Sequence, residues 1–316
     1  MVIDYSDILV TGGSGFIGSH LVDQLLEDGF RVRVIDDLSA GDKQNLAHCE
    51  NNKSFEFIEG DIRDFDLVKK TVKGVDAVFH EAALVSVTRS VEDPLLSNEI
   101  NVGGSLNLLK ACVDTHVKRF VYASSCAVYG EAEVLPISEE LSTKPLSPYA
   151  VDKLAVEKYA KVFHEAYGIE TIGLRYFNVY GPRQKYGPYS GVISIFINSF
   201  LENKAPIIYG DGEQTRDFVN VKDVVKANML ALSKGSIAGQ VFNISSGKAI
   251  TINEIVKIIQ KITDKESIDP VYSEPRVGDI KDSYAEIIKA QRNLEYEPKV
   301  QFEKGLEELI KWSSRQ

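Results

Sequence analysis

The chain is organised by a glycine-rich stretch near its start, Thr11-Gly12-Gly13-Ser14-Gly15-Phe16-Ile17-Gly18. A short apolar run, Ile8-Leu9-Val10, precedes it and reads as a buried strand. His20-Leu21-Val22 and Leu25-Leu26 follow at a spacing that suits an amphipathic helix. Glycines between a strand and a helix allow a tight turn. They also let a backbone amide approach an anion at the positive helix end. Gly13, Gly15 and Gly18 fit a G-x-G-x-x-G form, and Gly12, Gly15 and Gly18 fit G-x-x-G-x-x-G at the same time. The next apolar run, Arg31-Val32-Arg33-Val34-Ile35, ends at Asp36. That is about the distance expected for a carboxylate that takes a ribose 2′-hydroxyl. The competing reading is a glycine-rich turn with no ligand.

The same alternation continues downstream. Phe55-Glu56-Phe57-Ile58 reads as a strand ending at Gly60-Asp61-Ile62, and Phe65 to Val72 has helical spacing. Val75 to His80 is a further strand, followed by Glu81-Ala82-Ala83, whose small residues let a cofactor lie close to the backbone. A helix is predicted over Asn98 to Val113, then a strand over Arg119 to Ala123 that opens into Ser124-Ser125-Cys126-Ala127-Val128-Tyr129-Gly130. Pro136 to Pro148 is polar and loop-like. Pro148 stands where a helix would start, and that helix runs to about Tyr167 before a strand at Thr171 to Leu174. Short apolar strands alternating with helices predict a parallel, doubly wound α/β sheet. Ligands of such sheets bind beyond the carboxyl ends of the strands. Gly12, Asp36, Asp61, Ala82, Ser125 and Asn178 all fall just after predicted strands.

From about Gly181 the texture changes to shorter elements broken by Gly-Pro and Gly-Asp-Gly turns. Helices are expected at about 191–203, 222–234, 251–262 and 301–314, with strand-like pieces at Ile207-Tyr209 and Val241-Ile244. We read residues 1–180 as a dinucleotide-binding domain and 181–316 as mainly a smaller, mixed α/β substrate lobe. Segments at about 220–250 are expected to return to the first domain.

Composition narrows the partners. A net charge of −10 argues against a nucleic-acid surface, and any phosphate site needs local arginines. Three scattered cysteines, Cys49, Cys112 and Cys126, suit a reducing compartment. The five histidines never approach metal-ligand spacing, so no metal is expected. The start has no signal-peptide pattern and no run reaches membrane-spanning length, which predicts a cytoplasmic protein without a membrane partner.

Tyr149 and Lys153 stand one helical turn apart near a helix start, so both face one way. A phenol is a poor base at neutral pH, with a reference pKa of ~10. Bringing it to ~7 needs a preference for the phenolate of about 4 kcal/mol. An ammonium at ~4 Å supplies roughly that at an effective dielectric near 20. A Tyr–Lys pair beside an oxidised dinucleotide is therefore a plausible general base. A solvated helix face is the alternative.

Several motifs together make the chain resemble the extended short-chain dehydrogenase/reductase family, within it the nucleotide-sugar epimerases of the UDP-glucose (UDP-galactose) 4-epimerase type. They are the glycine loop of Thr11 to Gly18, Tyr149-Ala-Val-Asp-Lys153, Arg175-Tyr-Phe-Asn-Val-Tyr-Gly-Pro182 and Gly210-Asp-Gly-Glu-Gln-Thr-Arg-Asp-Phe218. The resemblance spans essentially the whole chain and implies a Rossmann-like sheet that holds NAD. It implies that Gly12, Gly15, Phe16, Ile17 and Gly18 hold the pyrophosphate, and that Asp36, with Leu38, Ser39 and Gly41, takes the adenosine ribose. Asp61 and Ile62 would flank the adenine. Ala82, Ala83, Asn101 and Tyr176 would line the nicotinamide half.

The resemblance also makes Tyr149, Lys153 and Ser125 the catalytic triad. It puts a UDP-sugar against Asn178, Arg216 and Arg276 at the diphosphate, Asp279 at the uridine ribose, and Ile207 with Tyr209 at the uracil. Ser86, Gly191, Val192 and Ser283 complete the implied substrate site. Cys126 and Ala127 stand where the family's dehydratases carry acids, which points to C4 epimerisation: oxidation at C4, rotation of the 4-keto sugar, and re-reduction. The small Ser283, with Ser86 and Gly191, resembles the branch that accepts N-acetylated sugars. UDP-glucose, UDP-galactose and UDP-N-acetylhexosamines are therefore all expected substrates. A UDP-glucuronate 4-epimerase, a 4-ketoreductase and a non-catalytic dinucleotide-binding protein are the alternatives. The helices predicted at about 98–113 and 149–167 carry apolar stripes on more than one side. The resemblance implies that they pair across a two-fold axis into a homodimer; packing on the sheet is the other reading.

Overall fold

Strands that are apolar on both faces need helices over each face. The computed structural model, which describes residues 5–185, 191–275 and 280–315, arranges the first part of the chain in that way. In order come β1 (Asp7–Thr11), α1 (Phe16–Glu27), β2 (Arg31–Asp36), β3 (Phe55–Glu59), α2 (Phe65–Val72) and β4 (Ala77–His80). They are followed by α3 (Val87–Glu92), α4 (Pro94–Asn98), α5 (Gly104–Asp114), β5 (Arg119–Ser125), α6 (Pro148–Tyr167) and β6 (Glu170–Tyr176). Beyond these lie β7 (Asn178–Tyr180), α7 (Val192–Leu201), β8 (Ile207–Tyr209), β9 (Thr215–Arg216), β10 (Phe218–Asn220), α8 (Val221–Ser233) and β11 (Gln240–Ile244). The chain closes with β12 (Ile250–Thr251), α9 (Ile252–Ile262), β13 (Val271–Ser273), β14 (Asp282–Ser283), α10 (Ile288–Leu294) and α11 (Phe302–Ser313).

The main sheet has seven parallel strands in the order β11-β6-β5-β4-β1-β2-β3. Its order reverses between β1 and β4, so the crevice for a ligand opens at their carboxyl ends. Alternation along each strand divides the core. Ile8 and Val10 pack with Leu21, Leu25 and Phe242, whereas Leu9 packs with Val78, Leu108 and Phe120 on the opposite face. These side chains are wholly buried, and each such burial is worth roughly 1.5–3 kcal/mol.

Smaller sheets follow: β7 with β10, β8 with β13, and β9 between β12 and β14. They share a separate core of Tyr180, Phe196, Phe200, Ile255 and Leu306. Helix α9 starts on a reciprocal cap in which Thr251 and Glu254 each satisfy the other's backbone amide. Helix α6, which carries Tyr149 and Lys153, is held at both ends. The Ser147 side chain accepts from the Ala150 amide, Pro148 occupies the first turn, and Gly168 ends the helix in the left-handed region.

The helix expected over 98–113 begins earlier and is not uniform. It starts as α4, passes through a π-helical turn at Glu99–Gly103, and continues as α5. The wider turn belongs to the stretch where Asn101 faces inward, a placement that a 3.6-residue period does not encode. A 3₁₀ turn at Lys43–Cys49 and the short helices α3 and α10 are too brief for periodicity to reveal.

Asp217, between β9 and β10, is fully buried and joins the small sheets to the main one. Its carboxylate accepts from the amides of Ser246 (3.0 Å), Gly247 (3.0 Å) and Ala285 (3.1 Å) and from the Ser246 hydroxyl. Substitution to alanine leaves these donors buried and unpaired. Asp217→Ala is expected to lower unfolding stability by about 3 kcal/mol, measured by denaturant titration; a loss under about 1 kcal/mol would show that the junction is held elsewhere.

Candidate active site

The glycine turn between β1 and α1 is shaped by contacts that exclude side chains. Gly12 has φ +67°, and a Cβ there would stand 2.7 Å from the Ala82 backbone, just past β4. A Cβ on Gly18 would stand 2.2 Å from the Gly12 carbonyl oxygen, and one on Gly13 would press within 2.7 Å of Val34. Gly15 caps α1 in an extended conformation, with Phe16 and Ile17 opening the helix. The first turn holds no acidic residue and no side-chain cap, so the positive helix end is open to an anion.

Asp36 ends β2 and is buried. Its two oxygens accept from the amides of Ser14 (2.8 Å) and Leu38 (2.8 Å). Burial pushes its carboxyl above the usual range while these amides pull the other way. A Cβ on Gly41 would come 3.0 Å from the Asp36 carboxylate, so this edge too has no room for a side chain. Ser39 bonds Asp37, not Asp36. Asp61 pairs with Arg63 at 2.6 Å, which holds its carboxyl low, and Ile62 packs under Gly104.

Ser125 ends β5, and Tyr149 and Lys153 face it from α6. The Ser125 side chain lies near the Tyr149 phenol and works to lower its pKa. The Tyr149 amide is held by Ser90 at 3.1 Å. Lys153 donates to the Ala123 carbonyl at 2.9 Å, and its Nζ stands 5.9 Å from the centre of the Tyr149 ring. Lys153 is not among the groups that lower the phenol. Burial dominates instead, pushing Tyr149 up to about 12 against the Ser125 side chain and Lys153 down to about 8. The phenol is therefore protonated in this arrangement, and drawing it down requires positive charge beyond Lys153.

Other residues reach this centre in ways that spacing does not reveal. Tyr176 is buried and its hydroxyl donates to Glu81 at 2.8 Å. Asn101 accepts from the Leu84 amide (2.8 Å) and donates to the Leu84 carbonyl (3.2 Å). It thus fixes the segment after Ala82 and Ala83, and its polar atoms are already engaged. His80 bridges Thr11 and Ser105 at 2.8 Å each and is held neutral, its pKa driven by burial down to about 3. Glu81 is the residue that sequence reasoning passes over; its one signal is a charge among small residues after a strand.

The residues of the implied sugar-nucleotide site gather on the small sheets. Arg216 lies in register with Ser283 across the β9–β14 pair. Its guanidinium donates to the carbonyls of Thr215 (2.8 Å) and Lys281 (3.2 Å). Asn178 donates to the Asp217 carbonyl at 2.9 Å. Ser86 caps α3, Gly191 caps α7 and Val192 opens it. Ile207 and Tyr209 lie on β8, where a cavity of about 960 Å³ opens between Tyr209, Gln214, Tyr272 and Lys281. It is distinct from the Tyr149 centre, whose side chains do not line it. Arg276 and Asp279 lie outside the described residues.

Cys126 has its thiol pushed by burial up to about 12, so it is not a nucleophile in this setting. Among the described residues, Asp23, His48 and Cys49 bring three potential ligand atoms within 4.8 Å, a grouping that histidine spacing alone does not suggest. Asp23 is already engaged there by His48 (2.7 Å) and Arg183 (2.8 Å).

Because a Cβ on Gly18 collides with backbone and not with a movable side chain, Gly18→Ala must displace the turn. This variant is expected to fold yet lose dinucleotide affinity by at least tenfold, measured by calorimetric titration with NAD; unchanged affinity would remove the turn from the cofactor site.

Residues 8–245 match the NAD dependent epimerase/dehydratase family. The UDP-glucose 4-epimerase of Mycolicibacterium smegmatis is 37% identical over 306 residues, covering 96% of this chain and 97% of that one. A UDP-glucose 4-epimerase from Thermotoga maritima, solved with UDP-glucose, superposes with a TM-score of 0.92 at 41% identity, covering 98% of this chain and 99% of that one. A UDP-N-acetylglucosamine 4-epimerase from Methanobrevibacter ruminantium, in complex with UDP-N-acetylmuramic acid, gives 0.93 at 43% identity over the same shares. With a match across well over half its length and relatives of this similarity, the chain belongs to the NAD dependent epimerase/dehydratase family.

Proposed function

We propose that this protein interconverts UDP-hexoses at C4, with NAD held in the crevice between β1 and β4. The observation that carries the reading is the meeting of Ser125, Tyr149 and Lys153 at the carboxyl end of β5, beside a glycine turn that Cβ atoms would fill. The residues suit the cofactor: Gly12, Gly15, Phe16, Ile17 and Gly18 form the cradle for the pyrophosphate. A buried Asp36 with Leu38, Ser39 and Gly41 suits a ribose diol and repels a 2′-phosphate. Asp61 and Ile62 are assigned to the adenine, and Ala82, Ala83 and Tyr176 to the nicotinamide half. When bound, NAD would supply reversible hydride acceptance at C4 of the sugar, with no net consumption of cofactor.

The chain's own groups handle the proton and the orientation. Tyr149 takes the proton of the sugar 4-hydroxyl and gives it back. Ser125 donates to the phenolate and steadies it. The Lys153 ammonium, together with the cofactor's positive charge, supplies what the phenol needs to ionise in a buried site. Asn178 and Arg216, with Arg276, are assigned to the diphosphate, Asp279 to the uridine ribose, and Ile207 with Tyr209 to the uracil. Anchoring the sugar only through its diphosphate leaves the 4-keto ring free to present its other face. Ser86, Gly191, Val192 and Ser283 are assigned to the sugar pocket. Ser283 is small at the register position opposite Arg216, which leaves room for a 2-acetamido group. The relatives solved with UDP-glucose and named for UDP-N-acetylglucosamine support both substrate types.

In this reading residues 1–180, with the returning 220–250 segment, serve the dinucleotide, and most of 181–316 serves the sugar nucleotide. We place the protein in the cytoplasm; among the described residues no helix is long and apolar enough to cross a membrane. We also assign a homodimer. Val91 and Leu95 on α3 and α4, and Val151, Tyr159 and Val162 on α6, are exposed on helices that pack together.

The reading has direct tests. Purified protein without added NAD should interconvert UDP-glucose with UDP-galactose and UDP-N-acetylglucosamine with UDP-N-acetylgalactosamine, followed by chromatography of the C4 epimers; turnover of none would overturn the reading. Tyr149→Phe should fold and keep NAD but lose turnover by roughly a hundred- to ten-thousand-fold, and Ser283→Tyr should lose only the acetamido sugars. Sedimentation should give a mass of two chains, and Leu95→Glu should shift it towards one.

A further inference from the structure

The proposed reaction uses Tyr149 and Lys153 on α6 and leaves Asp152, a buried carboxyl group between them in sequence, without a task. A helix turns by about 100° per residue, so Asp152 points away from the face that Tyr149 and Lys153 share. There it meets α4 and the π-helical turn at Glu99–Gly103. Oδ2 of Asp152 accepts from the Ser97 hydroxyl at 2.6 Å, and Oδ1 accepts from Nδ2 of Asn98 at 3.2 Å. Nδ2 of Asn101 stands 3.3 Å from the Ser97 oxygen and 3.5 Å from Oδ2 of Asp152. Ser97, Asn101 and Asp152 are all buried, where such bonds are stronger than in water.

Donors and acceptors in this cluster run one way. Ser97 has one hydroxyl hydrogen and gives it to Asp152, which leaves the Ser97 oxygen to accept from Asn101. A carboxylate offers acceptors only. The nitrogen end of the Asn101 amide is therefore turned to Ser97 and Asp152. With that end fixed, the same amide closes on Leu84: Oδ1 accepts from the Leu84 amide at 2.8 Å, and Nδ2 donates to the Leu84 carbonyl at 3.2 Å. A flipped amide would set oxygen against oxygen at Asp152 and nitrogen against nitrogen at Leu84. A second tie meets the same helix at Tyr149. The Ser90 hydroxyl on α3 donates to the Val87 carbonyl (2.6 Å) and accepts from the Tyr149 amide (3.1 Å), which lies in the first turn of α6 and has no partner within the helix.

We propose that Asp152 is a positioning residue of the active site: through Ser97 and Asn101 it fixes the Leu84 segment against helix α6. The groups that handle the proton, Tyr149 and Lys153, are thereby held in register with the Ala82–Leu84 segment assigned to the nicotinamide half. The inference rests on that assignment and on the reading that Tyr149 and Lys153 carry the chemistry. Asp152 itself exchanges no proton in this scheme. Its effect is on alignment, and a displacement of about 1 Å between reacting groups costs up to roughly a hundredfold in rate. The π-helical turn fits the same role, since it carries Asn101 inward at the one point where α4 and α5 must serve both α6 and Leu84.

The test is Asp152→Asn, which keeps the size of the side chain but gives up one of its two acceptors. Amide hydrogen exchange followed by NMR on the NAD-loaded protein reads the Leu84 amide without any turnover. The expected result is Leu84 exchange faster by about tenfold, with the amides of Leu9 and Val121 in the main sheet exchanging as in wild type. The kcat for UDP-glucose should fall roughly ten- to a hundredfold while KM stays nearly unchanged. Asp152→Ala, which gives up both acceptors, should exceed Asp152→Asn in both measures; if it fails to fold, Asp152→Asn decides alone. Unchanged Leu84 exchange in Asp152→Asn would overturn the proposal. So would an equal loss of protection at Leu9 and Val121, which would make the bonds a general support of the fold, or an unchanged kcat with Leu84 loosened. If the wild type converts no UDP-sugar, the proposed function fails while the Leu84 exchange still decides whether Asp152 holds that segment.

Discussion

The structure depends on one close approach. Where the order of the main sheet reverses, the turn after β1 lies against the backbone after β4, and Gly12 has no space for a single carbon. That contact sets the width of the crevice and brings Thr11, His80 and Glu81 together at its floor. It also fixes the direction of α1, because Gly18 must pass over the Gly12 carbonyl. A side chain at Gly12 would push the turn away from the backbone after β4, and one at Gly18 would displace the turn itself.

Around that floor the protein buries several charges, and it treats them differently. Arg175 and Glu157 form a two-bond pair, with Tyr129 and Ser124 completing the remaining positions, so each has its partners away from water. Arg119 is capped by three carbonyls at the end of α8 and by Glu170. Among the described residues the Lys153 ammonium has only the Ala123 carbonyl in hydrogen-bond contact, and burial opposes charge on the Tyr149 phenol. Burial therefore weighs against charge on the second pair, whereas the first pair is held by its mutual bonds. A site that must pass a proton back and forth needs groups poised near exchange, whereas a strut needs groups that do not exchange.

Much of the fold is legible in the chain before any coordinates. Ile8-Leu9-Val10 and Ala77 to Phe79 are continuous apolar runs because both faces of each strand are covered, and that pattern, interleaved with helical spacing, leaves a parallel sheet as the natural outcome. Tyr149 and Lys153 are readable as a pair because helical geometry puts residues four apart on one face. The distance between them and their charge states are not readable. Those depend on the Ala123 carbonyl capturing Lys153 and on how much water the neighbouring elements exclude.

The sequence by itself determined the alternation of strands and helices, the place of the glycine turn, and which residue types stand near it, since these are properties of neighbours along one chain. Tertiary structure alone decided that Glu81 faces Tyr176, which faces Asn228, that Asp217 gathers amides from two separate segments, and that the phenol at Tyr149 is held protonated by burial. The reason is physical: the energy of a buried charge is set by the groups that surround it in space. Those groups arrive from strands and helices as much as 147 residues apart, as Glu81 and Asn228 do across Tyr176.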